Sequence, residues 1–449
     1  MDNYLFDEFE KVSPQAWKNK IQVDLKGADY NETLLWDNNE GIRVKPFYTK
    51  ENRASFDIKL PSSNFNICQK IQVDNEVSAN QKAKDALQRG ADAIEFICVK
   101  SIDPVILLKA IDVKHIHFYF RLNTPNEELV NHIRESVKQA TIFFNIDPIG
   151  TLVKTGNWHR NYKADTALLN KLSTIQNSLL VDASTYQNAG ANCSQQLAYA
   201  LAHTHEYITQ LGPNCVPNLH FRFAVGSNYF FEIAKLRAFR VLLAELMSFL
   251  ALPNTKAAHI FAEPSTRNKT LYDYNVNMLR STSESMSAVL GGANTVANIP
   301  YDDLFHEANE FGDRISRNQL LILKEECEME TPHTIANGVY YIEALTQQLV
   351  QKALEIFKQI EKGGGLLKQL KEGTIQRKIN ESAQREQADF DRGELVLLGT
   401  NKIQNDNDRM KGELQKSPFL KERKEKTLLQ PILPKRLAEK LEQKRLENE

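Results

Sequence analysis

The sequence predicts a (β/α)8 barrel, and three observations lead there. Phe221 to Arg240 reads as one strand, turn and helix unit; similar units recur through the middle of the chain; and that middle has room for eight of them. Leu219, Phe221 and Phe223 alternate with His220 and Arg222, as in a half-buried strand, and Gly226 breaks the run. Ser227 and Asn228 then offer caps. From Tyr229 to Met247 apolar residues recur at three and four with Lys235, Arg237 and Arg240 between them, the pattern of an amphipathic helix. Strand and helix alternating at this density imply parallel strands covered by helices. Eight units need about 250 residues, and the chain has 449.

In chain order, residues 1–60 show little periodicity but hold two of the three tryptophans, Trp17 and Trp36. Large aromatics favour burial, so this stretch reads as an extended arm laid on a larger surface. Strands are expected near 64–72, 92–98, 115–120, 141–146, 178–183, 217–224, 257–262 and 294–298. The clearest helices are Asn80–Arg89, Pro125–Gln139, Ala191–Thr209, Tyr229–Leu250, Tyr272–Leu290 and Asn309–Glu326, punctuated by Gly90, Gly190, Gly226 and Gly291-Gly292. The barrel is thus assigned to 61–335 and a helical C-terminal extension to 336–402. In that extension Ile342, Leu345, Leu349, Ala353 and Ile356 share a face, and Gly363-Gly364-Gly365 ends the helix. Residues 403–449 are a polar tail in which Leu437, Leu441 and Leu446 suit a short terminal helix; it reads as solvated or as docked on a partner.

Composition narrows the function. Hydrophobic residues make up 42% and charged residues 25%, and the formal net charge is −1, so nothing electrostatic points to nucleic acid or an anionic membrane. No apolar run approaches the ~20 residues of a membrane span. The acidic start lacks the order of a signal peptide. Cys68, Cys98, Cys193, Cys215 and Cys327 are scattered and mostly in apolar settings, which fits reduced thiols in a cytoplasmic protein.

The run Phe223-Ala-Val-Gly-Ser-Asn-Tyr-Phe-Phe-Glu-Ile-Ala-Lys-Leu-Arg-Ala238 resembles the methylmalonyl-CoA mutase family, adenosylcobalamin-dependent isomerases that move a carbonyl-CoA group between neighbouring carbons. Asp24-Leu-Lys-Gly27 and Glu40-Gly-Ile42 through Tyr48 resemble that family's N-terminal arm, which wraps a partner subunit. Asp273 to Arg280 resembles the small, non-catalytic subunit of heterodimeric mutases more than the large one. The likeness covers roughly residues 15 to 402.

The resemblance also says what should stand at the strand ends, where such barrels carry their chemistry. At the first strand the family's Tyr, which reaches substrate and cobalamin, is replaced by Lys70, and a neighbouring Arg by Cys68. The Tyr-His pair after the fifth strand is Ser184-Thr185, and a nearby Glu is Asn188. Losing a general acid of this kind typically costs about 10² to 10⁴ in rate. Arg160 is the lone arginine between strands four and five, without the family's neighbours, although a carboxylate-binding fork needs Arg. His259 survives at the seventh strand without its polar neighbours, and Arg222 ends a run that differs from the family's. The cobalt-ligating Asp-x-His-x-x-Gly is absent, and the residues after Lys402 are too few and polar for a flavodoxin-like domain of about 100 residues.

His203 and His205, two apart on a helix, face different ways and make a poor metal pair. The sequence holds no Cys-x-x-Cys and no Gly-x-Ser-x-Gly, and its glycine triplet lacks the Lys-Ser/Thr of a phosphate loop.

The resemblance therefore implies the small subunit of a heterodimeric mutase. The complex would interconvert (R)-methylmalonyl-CoA and succinyl-CoA, with adenosylcobalamin and the acyl-CoA held by a homologous large subunit. This chain would bind no cofactor or metal of its own and would not turn over alone. Two alternatives stay open. One is an active acyl-CoA mutase barrel using a separate cobalamin-binding subunit, with Lys70, Arg160, Arg222 and His259 as its polar groups. The other is a non-enzymatic regulatory binding module.

Overall fold

The computed structural model describes residues 8–10, 12–52, 56–62, 64–253, 257–329, 334–420 and 425–449. Its centre is a sheet of eight strands: β1 Asn66–Val73, β2 Ala93–Cys98, β3 His117–Leu122, β4 Thr141–Phe144, β5 Leu179–Asp182, β6 Leu219–Val225, β7 Ile260–Pro264 and β8 Thr295–Val296. The hydrogen-bonded order is β4-β3-β2-β1-β8-β7-β6-β5, and each pairing is parallel. The remaining seam, β4 to β5, is closed just beyond the strand ends. Ile146 bridges Leu179, and Phe144 and Leu180 donate to Asn177 and Ile146 at 2.9 and 3.0 Å. The sheet is therefore a barrel without edges, as the sequence predicts.

The main helices after successive strands are α1 Glu76–Gln88, α2 Pro104–Leu107, α3 Glu127–Ser136, α4 Tyr162–Leu172, α5 Cys193–Leu211, α6 Tyr229–Phe249, α7 Val276–Leu290 and α8 Glu310–Leu321. Asparagine starts many of them. The side chains of Asn75, Asn126, Asn161, Asn192 and Asn309 accept the backbone N–H three residues on, at the heads of α1, α3, α4, α5 and α8. Each such cap is worth about 1 kcal/mol. At α6 the cap works differently. Asn228 makes no side-chain cap bond; Glu232 reaches back instead and accepts from Gly226 N at 2.9 Å.

Two local expectations change once the barrel closes. β6 is buried at every position, not half-buried. Both faces of a barrel strand are dry, so the polar alternates His220 and Arg222 point into the axis rather than to water. α6 is likewise not amphipathic in the ordinary sense: Lys235, Arg237 and Arg240 are buried. α9, Tyr340–Lys362, lies across α5 and α6 and removes the face that would meet solvent. The buried cations find partners nearby. Lys235 pairs with Glu232 and donates to Gln196 Oε1 and Ala224 O at 2.8 Å. Arg240 donates to the carbonyls of Ala258 and Gly292, both at 2.6 Å.

The N-terminal stretch folds as a helix, Pro14–Asp24, that buries none of its residues, followed by a two-stranded ribbon of Trp36–Asp37 and Arg43–Val44. Its buried anchors are Tyr30, Ile42 and Val44, whereas Trp17 and Trp36 stay 53% and 48% exposed. Trp36 packs edge-on against Phe231. Glu40, in the ribbon's turn, accepts from Cys193 N and Ser194 N at 2.9 and 3.0 Å and so caps α5 from outside.

The described part of the C-terminal tail is docked on its own chain, although residues 402–407 and 425–428 are exposed. It crosses the C-terminal ends of the strands as an extended strap and ends in α10, Glu439–Glu447. Leu428 and Leu429 donate to Gly156 O, Ile432 to Val153 O, Lys435 to Asn188 O and Leu437 to Arg267 O. Leu429, Ile432 and Leu437 are buried beneath it, and Pro431 and Pro434 favour the extended course. Arg436 and Glu442 form a buried ion pair at its end.

Candidate functional site

The mouth of the barrel is filled from two levels. The deeper level is aromatic. Tyr119 from β3, Phe143 from β4, Phe261 from β7 and His259 just before β7 meet on the axis, with Cys68, Ala93 and Ala297 around them. Phe143 stacks on His259 with centroids 4.1 Å apart and on Tyr119 at 4.7 Å. The Tyr119 hydroxyl lies 2.7 Å from both His259 Nε2 and Thr295 Oγ1. Four interleaved rings at van der Waals distance leave no channel for a long ligand tail.

Above them lies a lattice of charges. Arg222 from β6 sets Nη2 2.5 Å and Nη1 3.3 Å from the Glu95 carboxylate of β2, and Nη1 3.5 Å from Glu263 of β7. Lys70 of β1 is 3.2 Å from the same Glu263, and Arg121 of β3 is 3.2 Å from Glu95. Asn145 donates to Glu95 Oε1 at 2.8 Å. The Arg222 guanidinium also sits 4.2 Å over the Phe261 ring. To one side Lys154 and the Ser184 hydroxyl each stand 2.5 Å from Asp182.

Burial and charge pull these groups in opposite directions. Burial alone would raise Glu95, but Arg121, Arg222 and Lys70 outweigh it and hold the carboxyl at about 2. Glu263 is lowered in the same way, burial losing to Lys70 and Arg222, and Asp182 goes far down under Lys154 and Arg222. The histidines move with burial. His220 drops to about 4, and His259 falls well below its ordinary value, helped by His220, His117 and Arg240. His259 is therefore neutral at pH 7, and its ring is partly buried. Each carboxylate of the lattice is matched, but four cations, Lys70, Arg121, Lys154 and Arg222, face three carboxylates, Glu95, Glu263 and Asp182, so one positive charge is left over.

A cavity of about 540 Å³ remains between this lattice and the strap. Arg121, Lys154, Ser184 and Thr185 line its floor, and Ile432, Leu433 and Pro434 form its roof. Of the residues singled out from the sequence, Lys70, Arg222, Ser184 and Thr185 converge on the mouth, and His259 lies one level deeper. Arg160 does not join them. It is exposed in the loop before α4, where its backbone N–H meets Asp165. His203 is buried 3.0 Å from Asp147, His205 is 2.9 Å from Glu361, and the described residues contain no cluster suited to a metal.

Glu95, Arg121, Lys154, Asp182 and Glu263 are the charged residues of the site that sequence reasoning missed. A signal existed for Glu95: a lone carboxylate within Ala93-Ile-Glu-Phe-Ile-Cys98 must find a cation if that strand is buried.

With the barrel and its mouth described, comparison with known proteins decides the lineage. The family model of methylmalonyl-CoA mutase matches residues 160–447. The chain belongs to the methylmalonyl-CoA mutase family. A methylmalonyl-CoA mutase small subunit from Porphyromonas gingivalis is 32% identical, over 89% of this chain and 71% of that protein. One from Streptomyces virginiae is 34% identical, over 82% of this chain and 66% of its own length. A probable mutase large subunit from Mycobacterium bovis is 32% identical but matches only 51% of this chain and 32% of its own length. The mutase small subunits are thus matched along most of this chain, and the large subunit along half.

Proposed function

We propose that this chain is the small, non-catalytic subunit of a heterodimeric methylmalonyl-CoA mutase. In this reading it acts by packing against a large subunit that isomerises (R)-methylmalonyl-CoA and succinyl-CoA. One observation carries the reading: the Tyr119, Phe143, Phe261 and His259 rings fill the axis through which a CoA tail would thread. The charge lattice adds support. Lys70 and Arg222, the polar groups an active barrel would use, are committed to Glu263 and Glu95, and Arg160 stands elsewhere. These features also weigh against the reading as an active barrel with a separate cobalamin subunit.

Adenosylcobalamin supplies radical chemistry when bound, but the residues present do not fit it. The strap lies across the face that a corrin would need, and no Asp-x-His-x-x-Gly offers a cobalt ligand. No catalytic step is therefore assigned to this chain. The cofactor and acyl-CoA belong, in this proposal, to the large subunit, and the complex is cytoplasmic, in keeping with the buried free thiols of Cys68, Cys98, Cys193 and Cys215. The arm's exposed Trp17 and Trp36 suit a surface that meets a partner.

The test is a mutase assay with added coenzyme B12 on the chain alone, on a large subunit from the same organism, and on both together. No turnover by the chain alone and a stoichiometric, active pair are expected. Turnover by the isolated chain, or clean separate elution of the two subunits on sizing, would overturn the proposal.

A further inference from the structure

The sequence contains one Asn-Gly pair, Asn337-Gly338. It lies in the turn that leads into α9, where Asn337 N donates to Thr334 O at 3.0 Å and Gly338 has φ of +77°. An asparagine followed by glycine is open to an internal reaction. The glycine nitrogen closes a five-membered ring on the side-chain amide carbon, and no Cβ on the glycine blocks the approach. The space around Gly338 is open as well: a Cβ built there would meet nothing within 4 Å.

Two contacts single this pair out. Arg237, buried in α6, donates from Nη2 to Asn337 Oδ1 at 2.9 Å. A guanidinium on that oxygen draws electrons from the amide carbon and stabilises the oxyanion that forms when the carbon is attacked. On the other side, Gly338 N–H donates to Glu343 Oε1 at 2.7 Å, so a carboxylate already lies against the proton that the attacking nitrogen must lose. A helix-capping role explains the Glu343 contact by itself. It does not explain why the chain's one Asn-Gly also carries a buried cation on its amide oxygen. Asn337 is exposed and lines a cavity of about 250 Å³ with Arg237, Glu343 and Thr346, so water reaches the amide and ammonia has a way out.

We propose that Asn337 is a site of self-modification, in which Gly338 N closes a succinimide on Asn337 Cγ. The N–H proton passes to Glu343 as the new N–C bond forms and the carbonyl electron pair moves onto Oδ1 beside Arg237. That pair then re-forms the carbonyl, and the side-chain nitrogen takes the proton from Glu343 and leaves as ammonia. Water opens the ring to aspartate or isoaspartate and a proton. The aspartate sets a carboxylate against Arg237 and turns an amide contact between the turn and α6 into an ion pair. Isoaspartate instead inserts a side-chain carbon into the backbone just before α9. This chemistry needs no partner subunit.

The full chain, native and unfolded in urea, is incubated at neutral pH in heavy-oxygen water, and label entering residue 337 is followed by mass spectrometry of the peptide that contains it. Glu343→Gln is run alongside, since its amide oxygen still accepts from Gly338 N–H and keeps the cap while removing the base. Label should enter faster in the native chain than in the unfolded one. Glu343→Gln should slow the native reaction about tenfold or more and leave the unfolded rate unchanged. The comparison of native with unfolded wild type stands even if the variant fails to fold. A native rate equal to or below the unfolded rate overturns the proposal, and so does a folded Glu343→Gln that reacts as fast as wild type.

Discussion

Arg222 and Glu95 stand 127 positions apart in sequence and meet inside the barrel, guanidinium Nη2 2.5 Å from carboxylate Oε1, both side chains shut off from solvent. A buried pair of this kind contributes little net stability against an apolar replacement, but breaking it strands a charge. The two ends of the pair are therefore far more expensive to lose singly than together.

Glu95→Ala should destabilise the fold by about 3–5 kcal/mol, because Arg222 keeps only its longer contact with Glu263. The double variant Glu95→Leu with Arg222→Met should recover most of that loss. Chemical denaturation of the three proteins checks both statements, and a single-variant loss below about 1 kcal/mol would contradict the assignment of the pair.

Stability should fall on acidification in two stages. His220 is held at about 4 from an ordinary 6.5, and a base with a lowered folded value costs stability as pH falls from 6.5 toward 4. Glu95 is held at about 2 from an ordinary 4.5, so its contribution is complete above 4.5 and is lost toward 2. His220→Phe should flatten the upper limb of a stability-against-pH curve and Glu95→Gln the lower one. Curves parallel to wild type in both variants would refute this.

The aromatic plug should exclude coenzyme A. Calorimetric titration of the wild type with coenzyme A is expected to show no saturable heat. Phe143→Ala removes the ring stacked between Tyr119 and His259 and should cost about 3–5 kcal/mol in urea denaturation. Tight coenzyme A binding by the wild type would show that the axis is open.

The strap depends on one glycine. Gly156 has φ of +77°, and a Cβ there would lie 2.5 Å from the Leu429 carbonyl oxygen and 2.7 Å from Thr427 Cβ. Gly156→Ala should cost about 1–3 kcal/mol in backbone strain and lift the strap locally. Amide exchange at Leu428, Leu429, Ile432 and Lys435 should speed up while β1 to β8 keep their protection. Unchanged exchange at those four amides would mean the strap is not held by this contact.

Much of the barrel was legible in the sequence. The strands expected near 92–98 and 178–183 form at Ala93–Cys98 and Leu179–Asp182, because apolar runs bounded by turn residues mark buried parallel strands. The last strand shrank from 294–298 to Thr295–Val296, two residues that still bond to β1 and β7. Of the mouth, Lys70, Arg222 and His259 could be named in advance, because each stands out against a family pattern. Glu95, Arg121 and Glu263 could not, because their meaning lies in partners brought together by barrel closure.

What the sequence determined by itself was the alternation of strand and helix and the family, since both reside in short runs of neighbouring residues. Which way a polar side chain faces was decided only in three dimensions. His220 and Arg222 turn inward because a closed barrel has no wet strand face, and Lys235 is buried because it turns toward α5 and β6, where Gln196 and the Ala224 carbonyl receive it. The strap follows the same logic: a polar tail is placed by the few apolar residues that find apolar neighbours, Leu429 and Ile432 in the main core and Leu437 against Phe390 and Leu397.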